Sequence, residues 1–190
     1  MREIEVKARL QNEATFLASA KEHGIAFGKA VSQVDTIFLS KTAYGDPNWN
    51  VFRIRIESGK AILTMKYNAS TRTRDNIENE TVIADTATVT KMLLRLGYKP
   101  AVMVNKTRRI GHYQNLEVCL DKVEDLGTFV EIEELVDKTA NVDVVQAKLW
   151  ILAKKLGLKD SDRVYQGYDT LMLNQKRQKQ SDSYSDTITP

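Results

Sequence analysis

The chain has 190 residues, of which 42% are hydrophobic and 28% are charged, and this favours one soluble globular domain. Its 28 basic and 25 acidic residues give a formal net charge of only +3, which argues against a dedicated nucleic-acid-binding protein. A single cysteine, Cys119, excludes an intramolecular disulfide and a cysteine-rich zinc site. The apolar runs are shorter than a membrane span, so we expect a cytoplasmic protein without membrane contact.

Alternating charged and apolar residues predict strands, and apolar residues at helical spacing predict helices. Asn12 is the predicted N-cap of the first helix, and Ser58-Gly59-Lys60 is a predicted hairpin connection. Residues 68–76 and the segment around Gly45-Asp46-Pro47 are predicted loops. In chain order, the first half contains a strand, a helix and four further strands, over 2–10, 12–24, 31–40, 51–57, 61–67 and 77–84.

The second half begins with a helix that Asp85 or Thr86 could cap and that ends at Leu96. The polar segment 175–190 is predicted to be a disordered tail. Hairpin spacing between about eight strands predicts an α+β fold with a mainly antiparallel sheet. The remaining elements are three strands at about 100–110, 114–121 and 128–135, a long helix over 139–156 and a short helix near 163–174.

The polar side of the predicted strands carries long ionised side chains, where an exposed sheet would carry more serine and threonine. A single strand of this kind is most simply half-exposed, but six or seven share the pattern. Because amphipathic helices need apolar strand faces to cover, we expect the ionised faces to line a wet, eight-stranded antiparallel barrel with helices outside. These faces include Glu3, Glu5, Lys7, Arg9, Arg53, Arg55, Glu57, Lys66, Glu78, Glu80, Lys106, Arg108, Glu117, Asp121, Glu131 and Glu133.

Such a lumen suits a polyanion that binds together with divalent cations. Arginine and lysine side chains hold phosphate oxygens, and arginine does so in bidentate geometry. Carboxylates hold Mg²⁺ or Mn²⁺, which prefer oxygen ligands.

The opening Glu3-Ile4-Glu5-Val6-Lys7 matches the ExExK signature of the CYTH family, the triphosphate tunnel metalloenzymes. Later motifs follow in the family's order. Arg53-Ile54-Arg55 resembles its RxR strand, Lys66 its following lysine, and Lys106-Thr107-Arg108 its KxR element.

The acidic strands extend this resemblance towards the C-terminus. Glu78 and Glu80 resemble one acidic strand of the family, and the segment 116–133 resembles its late hairpin. The stretch LGYKP at 96–100 and the segment 165–171 are similar to the class IV adenylate cyclase branch.

The resemblance implies a CYTH domain over 1–174 that acts on a triphosphate through Mg²⁺ or Mn²⁺. It also allows a homodimer. On this basis we expect Glu3, Glu5 and Lys7 to be catalytic, and Glu78 and Glu80 to be further acidic positions. The expected phosphate-binding residues are Arg53, Arg55, Lys66, Lys106 and Arg108, and the expected metal ligands are Glu3, Glu5, Asp121, Glu131 and Glu133.

Several functions fit these motifs. A class IV adenylate cyclase would convert ATP to cyclic AMP and pyrophosphate, and the middle and late segments favour this branch. A triphosphatase would hydrolyse thiamine triphosphate or inorganic triphosphate. A binding module for polyphosphate or nucleotides would use the same lumen without turnover. An RNA-binding barrel ranks last, because it would expose aromatic residues, and their content is only 7%.

Overall fold

A computed structural model describes residues 2–40, 50–68 and 75–185 of the chain. Within these ranges lie nine strands and four α-helices. The N-terminal elements are β1 (Arg2–Arg9), α1 (Glu13–Glu22), β2 (Val31–Ser40), β3 (Asn50–Glu57), β4 (Lys60–Asn68), β5 (Asp75–Ile83) and α2 (Thr86–Arg95). The C-terminal elements are β6 (Tyr98–Tyr113), β7 (Leu116–Val123), β8 (Gly127–Val136), α3 (Val142–Lys155), a short 3-10 helix (Asp160–Asp162), β9 (Arg163–Val164) and α4 (Tyr168–Ser185).

Every predicted strand with described residues is present, and β9 is an additional two-residue strand. The predicted loop at Gly45-Asp46-Pro47 and most of the predicted loop 68–76 lie outside the described residues. None of the described helices combines the length and the apolar composition needed to cross a membrane.

The strands form one antiparallel sheet in the order β5-β4-β3-β2-β6-β7-β8-β1-β9. The sheet curls until β5 meets β1, where Glu3 pairs with Asn76 and Ile4 with Asp75. β9 pairs further along β1, at Lys7 and Ala8. This seam is a short contact, whereas β1 and β8 pair along their whole length. The predicted antiparallel tunnel is therefore confirmed, with a ninth strand and a short seam.

Local signals in the sequence begin and end these elements. The side chain of Asn12 accepts a hydrogen bond from the backbone N–H of Thr15, at 3.0 Å, and caps α1 as predicted. Asp85 caps α2 in the same way through Thr88. Ser58 and Gly59 both have positive φ, 49° and 74°, which is the backbone of a tight hairpin turn between β3 and β4.

The largest apolar cluster lies between the outer face of the sheet and helices α1 and α3. Ile4, Val6 and Ala8 alternate along β1 and are all buried in it. From the helices, Phe16 and Leu149 pack against them. Because the apolar faces are covered from outside, the alternate, ionised positions of the strands turn inward.

The C-terminal helix differs from the prediction. α4 continues to Ser185, so residues 175–185, predicted to belong to a disordered tail, are helical. Leu171 and Met172 pack into a second apolar cluster, and the Gln175 amide donates to the Asp125 carbonyl at 3.1 Å. Lysine, arginine and glutamine also favour helices. The first turn of α4 reaches the tunnel interior, so this helix does not lie wholly outside.

Candidate active site

A cavity of about 840 Å³ lies inside the curled sheet. Its wall brings together all but one of the thirteen ionised residues that the family resemblance implies as site residues. These are Glu3, Glu5, Lys7, Arg53, Arg55, Lys66, Glu78, Glu80, Lys106, Arg108, Glu131 and Glu133. The remaining one, Asp121, is fully buried and forms ion pairs with two of these cations, Lys106 and Arg108.

Glu3, Glu5 and Glu133 form an acidic group, in which each residue offers a carboxylate oxygen within 4.8 Å of the others. Glu5 and Glu133 are direct partners on β1 and β8, and Glu3 lies two residues along on the same face. Burial and the charges of Glu78 and Glu5 raise the pKa of Glu3 to about 7. Burial and the charges of Glu3 and Glu131 raise the pKa of Glu133 to about 9.

The acidic group fits a divalent cation on the chemistry of its donors. All three are carboxylates, the ligand type that Mg²⁺ and Mn²⁺ prefer. The raised pKa values of Glu3 and Glu133 show that burial and neighbouring carboxylates disfavour the ionised form of both side chains. A bound cation would remove that repulsion.

Glu117, Cys119 and Glu133 form a second group with ligand atoms within 4.8 Å. The Cys119 thiol donates to a Glu117 carboxylate oxygen at 3.3 Å. Burial raises the pKa of the Cys119 thiol, which keeps it protonated. The cysteine is therefore a small buried filler and not a nucleophile.

Arg53 and Lys66 meet the carboxylates of β5. One guanidinium nitrogen of Arg53 donates to Thr64 at 3.0 Å and to Glu80 at 2.9 Å. Lys66 donates to Glu78, which is also paired with Arg53 at 3.4 Å. Burial opposes ionisation of Glu78, but the charges of Lys66 and Arg53 outweigh it and lower its pKa.

Arg55 makes a bidentate pair with Asp35 on β2, at 2.7 and 2.8 Å. Burial alone would raise the pKa of Asp35, but the Arg55 hydrogen bonds and the Arg53 charge lower it. Sequence reasoning missed Asp35 and its neighbour Gln33, which both line the cavity. The signal was present, because Gln33 and Asp35 alternate with Val34 as the other charged positions alternate.

Lys7, Lys106, Arg108, Asp121 and Glu131 form a buried cation cluster. Lys7 pairs with Glu131 at 2.6 Å, and Arg108 bridges Glu131 and Asp121. Lys106 pairs with Asp121 at 2.8 Å. Burial and the Arg108 charge lower the pKa of Lys106, although the two carboxylates oppose this effect. The carboxylates hold the pKa of Arg108 well above its usual range despite burial.

Asp121 sits in this cluster as an acceptor for cations. Its two oxygens accept hydrogen bonds from Lys106, from two nitrogens of Arg108 and from the hydroxyl of Tyr168. A metal ion at Asp121 would have to displace these donors, so its assignment as a metal ligand stays a prediction. Tyr168 was missed as a site residue, because its place depends on how α4 docks.

Comparison with known proteins identifies the fold family. The model of the CYTH domain matches residues 1–168. This chain belongs to the CYTH family. The resemblance drawn from the ExExK and later motifs is thereby confirmed. CYTH proteins act on small triphosphate compounds and in general depend on divalent metals.

Relatives of this CYTH protein carry two kinds of name. A candidate adenylate cyclase of Methanocaldococcus jannaschii is 26% identical over 171 residues, which cover 88% of this chain and 97% of the relative. The solved PH1012 protein of Pyrococcus horikoshii has a TM-score of 0.76 and 29% identity, over 89% of this chain and 98% of that one. A Hippeastrum protein first named an adenylyl cyclase, and described with a dominant triphosphatase activity, shares the fold with a TM-score of 0.61 and 18% identity, over 93% and 96%.

Proposed function

We propose that this CYTH protein is a class IV adenylate cyclase, which converts ATP to cyclic AMP and pyrophosphate with Mg²⁺ or Mn²⁺. The ribose 3′-oxygen forms a bond to the α-phosphorus, and the bond from the α-phosphorus to the bridging oxygen breaks. Pyrophosphate leaves with that oxygen. The observation that carries a metal-dependent reaction on a triphosphate is that one cavity holds the acidic group and, beside it, cations from β1, β3, β4 and β6. The choice of the cyclase rests on the similarity to a candidate adenylate cyclase over most of the chain.

The cations are suited to hold the triphosphate. Arg53, Arg55 and Arg108 offer planar donors that match phosphate oxygens, whereas Lys66 and Lys106 offer point charges. All five are held in place by carboxylates of other strands. Phosphate oxygens would take over part of these contacts, so the chain can bind the substrate without a large rearrangement of the wall.

The acidic group would supply the other half of the chemistry. Glu3, Glu5 and Glu133 would hold the divalent cation, which would neutralise phosphate charge and lower the pKa of the attacking hydroxyl. A single proton leaves this hydroxyl, and we assign Glu3 or Glu5 as its acceptor. Lys7 orients Glu131 through their 2.6 Å pair. A reducing cytoplasm suits the single cysteine, and we propose that location.

A triphosphatase is the second candidate. The triphosphatase activity described for the Hippeastrum protein favours it, since that protein shares this fold. Water would replace the ribose hydroxyl as the attacking group and would release the terminal phosphate of the triphosphate. The same cations and carboxylates would serve both reactions.

Product analysis tests the proposal. The purified protein is incubated with ATP, thiamine triphosphate or inorganic triphosphate, each with Mg²⁺ or Mn²⁺. Cyclic AMP and pyrophosphate from ATP are the expected products, whereas thiamine diphosphate or free phosphate would identify the triphosphatase. Tight binding without any product would identify a binding module.

Two glutamate variants of β8 test whether turnover takes place in the cavity. Glu133→Gln removes an inward carboxylate and should abolish metal-dependent turnover. Glu134→Gln changes the next residue, which pairs with Lys148 on the outer side of the sheet, and should retain activity. Equal activity of the two variants would contradict the assignment of Glu133.

A further inference from the structure

Tyr168 is the first residue of α4, and its side chain is buried beside two lysines of the cavity wall. The ammonium nitrogen of Lys7 lies 3.6 Å from the centroid of the Tyr168 ring, and that of Lys106 lies 5.0 Å from it. The hydroxyl of Tyr168 donates to Asp121 at 3.0 Å. One side chain thus contacts two cations and one carboxylate of the cation cluster.

The charges of the cation cluster explain why an aromatic ring is useful there. Lys7, Lys106 and Arg108 bring three positive charges into one buried place, where described ion pairs join them to Asp121 and Glu131. The negative face of an aromatic ring attracts a cation, and the attraction is strongest where water is excluded. The side chains of Lys7 and Lys106 are only 1% and 3% exposed, so the ring acts where this attraction is strong.

We propose that Tyr168 is a positioning residue for triphosphate binding, because its ring holds Lys7 and Lys106 at the cavity wall and its hydroxyl fixes Asp121. The inference rests on the proposed function, since it concerns how the same cavity recognises phosphate. Without the ring, both ammonium groups would lose this attraction and could move from their places in the cavity wall. They would then offer fewer donors to a triphosphate.

A purely structural role for Tyr168 is the competing explanation. The ring meets Phe129 edge-on, with centroids 5.1 Å apart, and it belongs to the apolar cluster that anchors α4. Met172 lies one turn further along α4 in the same cluster and is equally buried, at 8% exposure. Met172→Ala therefore loosens the helix without touching the lysines and is the matched control.

The test compares Tyr168→Phe, Tyr168→Leu and Met172→Ala in the full chain. Calorimetry measures the binding of α,β-methylene-ATP with Mn²⁺, and thermal unfolding is recorded for each variant. We expect Tyr168→Leu to weaken binding by at least about tenfold, because the ring face is lost. Tyr168→Phe keeps the ring and should weaken binding by about threefold or less. Met172→Ala should lower the unfolding temperature but bind like the wild type.

Three results would overturn this inference: wild-type affinity of Tyr168→Leu, an equal loss in Tyr168→Phe, or an equal loss in Met172→Ala. In each case the wild type still binds the analogue, and the proposed function stands. A wild-type protein that does not bind the analogue with Mn²⁺ would instead contradict the proposed function together with the inference.

Discussion

Glu133 is a half-buried carboxylate whose surroundings disfavour its ionised form. Its pKa of about 9 arises from burial and from the charges of Glu3 and Glu131. A residue selected only for stability would not be kept ionisable beside two other acids, because the repulsion costs free energy. A cation bound among the carboxylates of the acidic group would offset this cost.

The pKa of Glu133 predicts how stability changes with pH. The folded protein keeps the proton of Glu133 up to about pH 9, whereas the unfolded chain releases it near pH 4.5. Folded molecules therefore bind more protons in this window, and the free energy of unfolding falls as the pH rises. Glu133→Gln removes this loss and should be more stable than the wild type at pH 8, by at least about 1 kcal/mol. Urea unfolding at pH 8 and at pH 4 measures the difference in stability between this variant and the wild type. That difference should vanish near pH 4.

Asp35 gives the opposite pH dependence, since Arg55 and Arg53 lower its pKa in the folded state. Its ion pair contributes stability above the pKa of the unfolded chain, and that stability is lost as the pH falls through the folded pKa. Asp35→Asn leaves Arg55, whose side chain is only 13% exposed, without its partner charge and should cost about 3 kcal/mol at pH 7. Asp143→Asn removes an exposed carboxylate in the first turn of α3 and should cost less than about 1 kcal/mol. Equal losses in urea unfolding would contradict this account of Asp35.

At the scale of elements, the strands explain why the cavity wall could be predicted. Side chains alternate across a strand, so Arg53 and Arg55 had to share a face once β3 was recognised. The amphipathic helices need apolar strand faces to cover, so the charged faces were expected to lie inside. The ion-pair partners could not be predicted, because the pairing of Arg55 with Asp35 depends on the register of β2 against β3. The place of Tyr168 depends on the docking of α4, which no local pattern encodes.

The connection between α1 and β2 packs closely against β6 at Gly111. A Cβ atom at Gly111 would lie 2.7 Å from the Ile25 side chain and 3.2 Å from the Ala26 carbonyl oxygen. Gly111→Ala should therefore destabilise the protein by about 1–3 kcal/mol, because β6 or the connection must shift.

Gly28 is the matched control for this contact. It lies in the same connection, where a Cβ atom would meet the Ile110 carbonyl oxygen at an ordinary 3.5 Å. Gly28→Ala should leave the free energy of unfolding nearly unchanged or raise it slightly, since alanine restricts the unfolded chain. If both variants unfold at the same urea concentration, the close packing at Gly111 does not contribute to stability.

For the whole molecule, the sign of the charge inside the tunnel decides how it can bind a triphosphate. The described part of the cavity wall carries more carboxylates than cations. A highly charged anion alone would gain little from entering such a space. A divalent cation in the acidic group changes the balance in favour of the anion, so metal and triphosphate should bind together.

A crystal structure with Mn²⁺ and α,β-methylene-ATP tests this account most directly, since the anomalous signal of manganese locates the metal. We expect manganese beside Glu3, Glu5 and Glu133, and phosphate oxygens within hydrogen-bond distance of Arg53, Arg55 and Arg108. An analogue bound on the outer surface of the sheet, or manganese absent from the acidic group while the analogue fills the tunnel, would contradict the account.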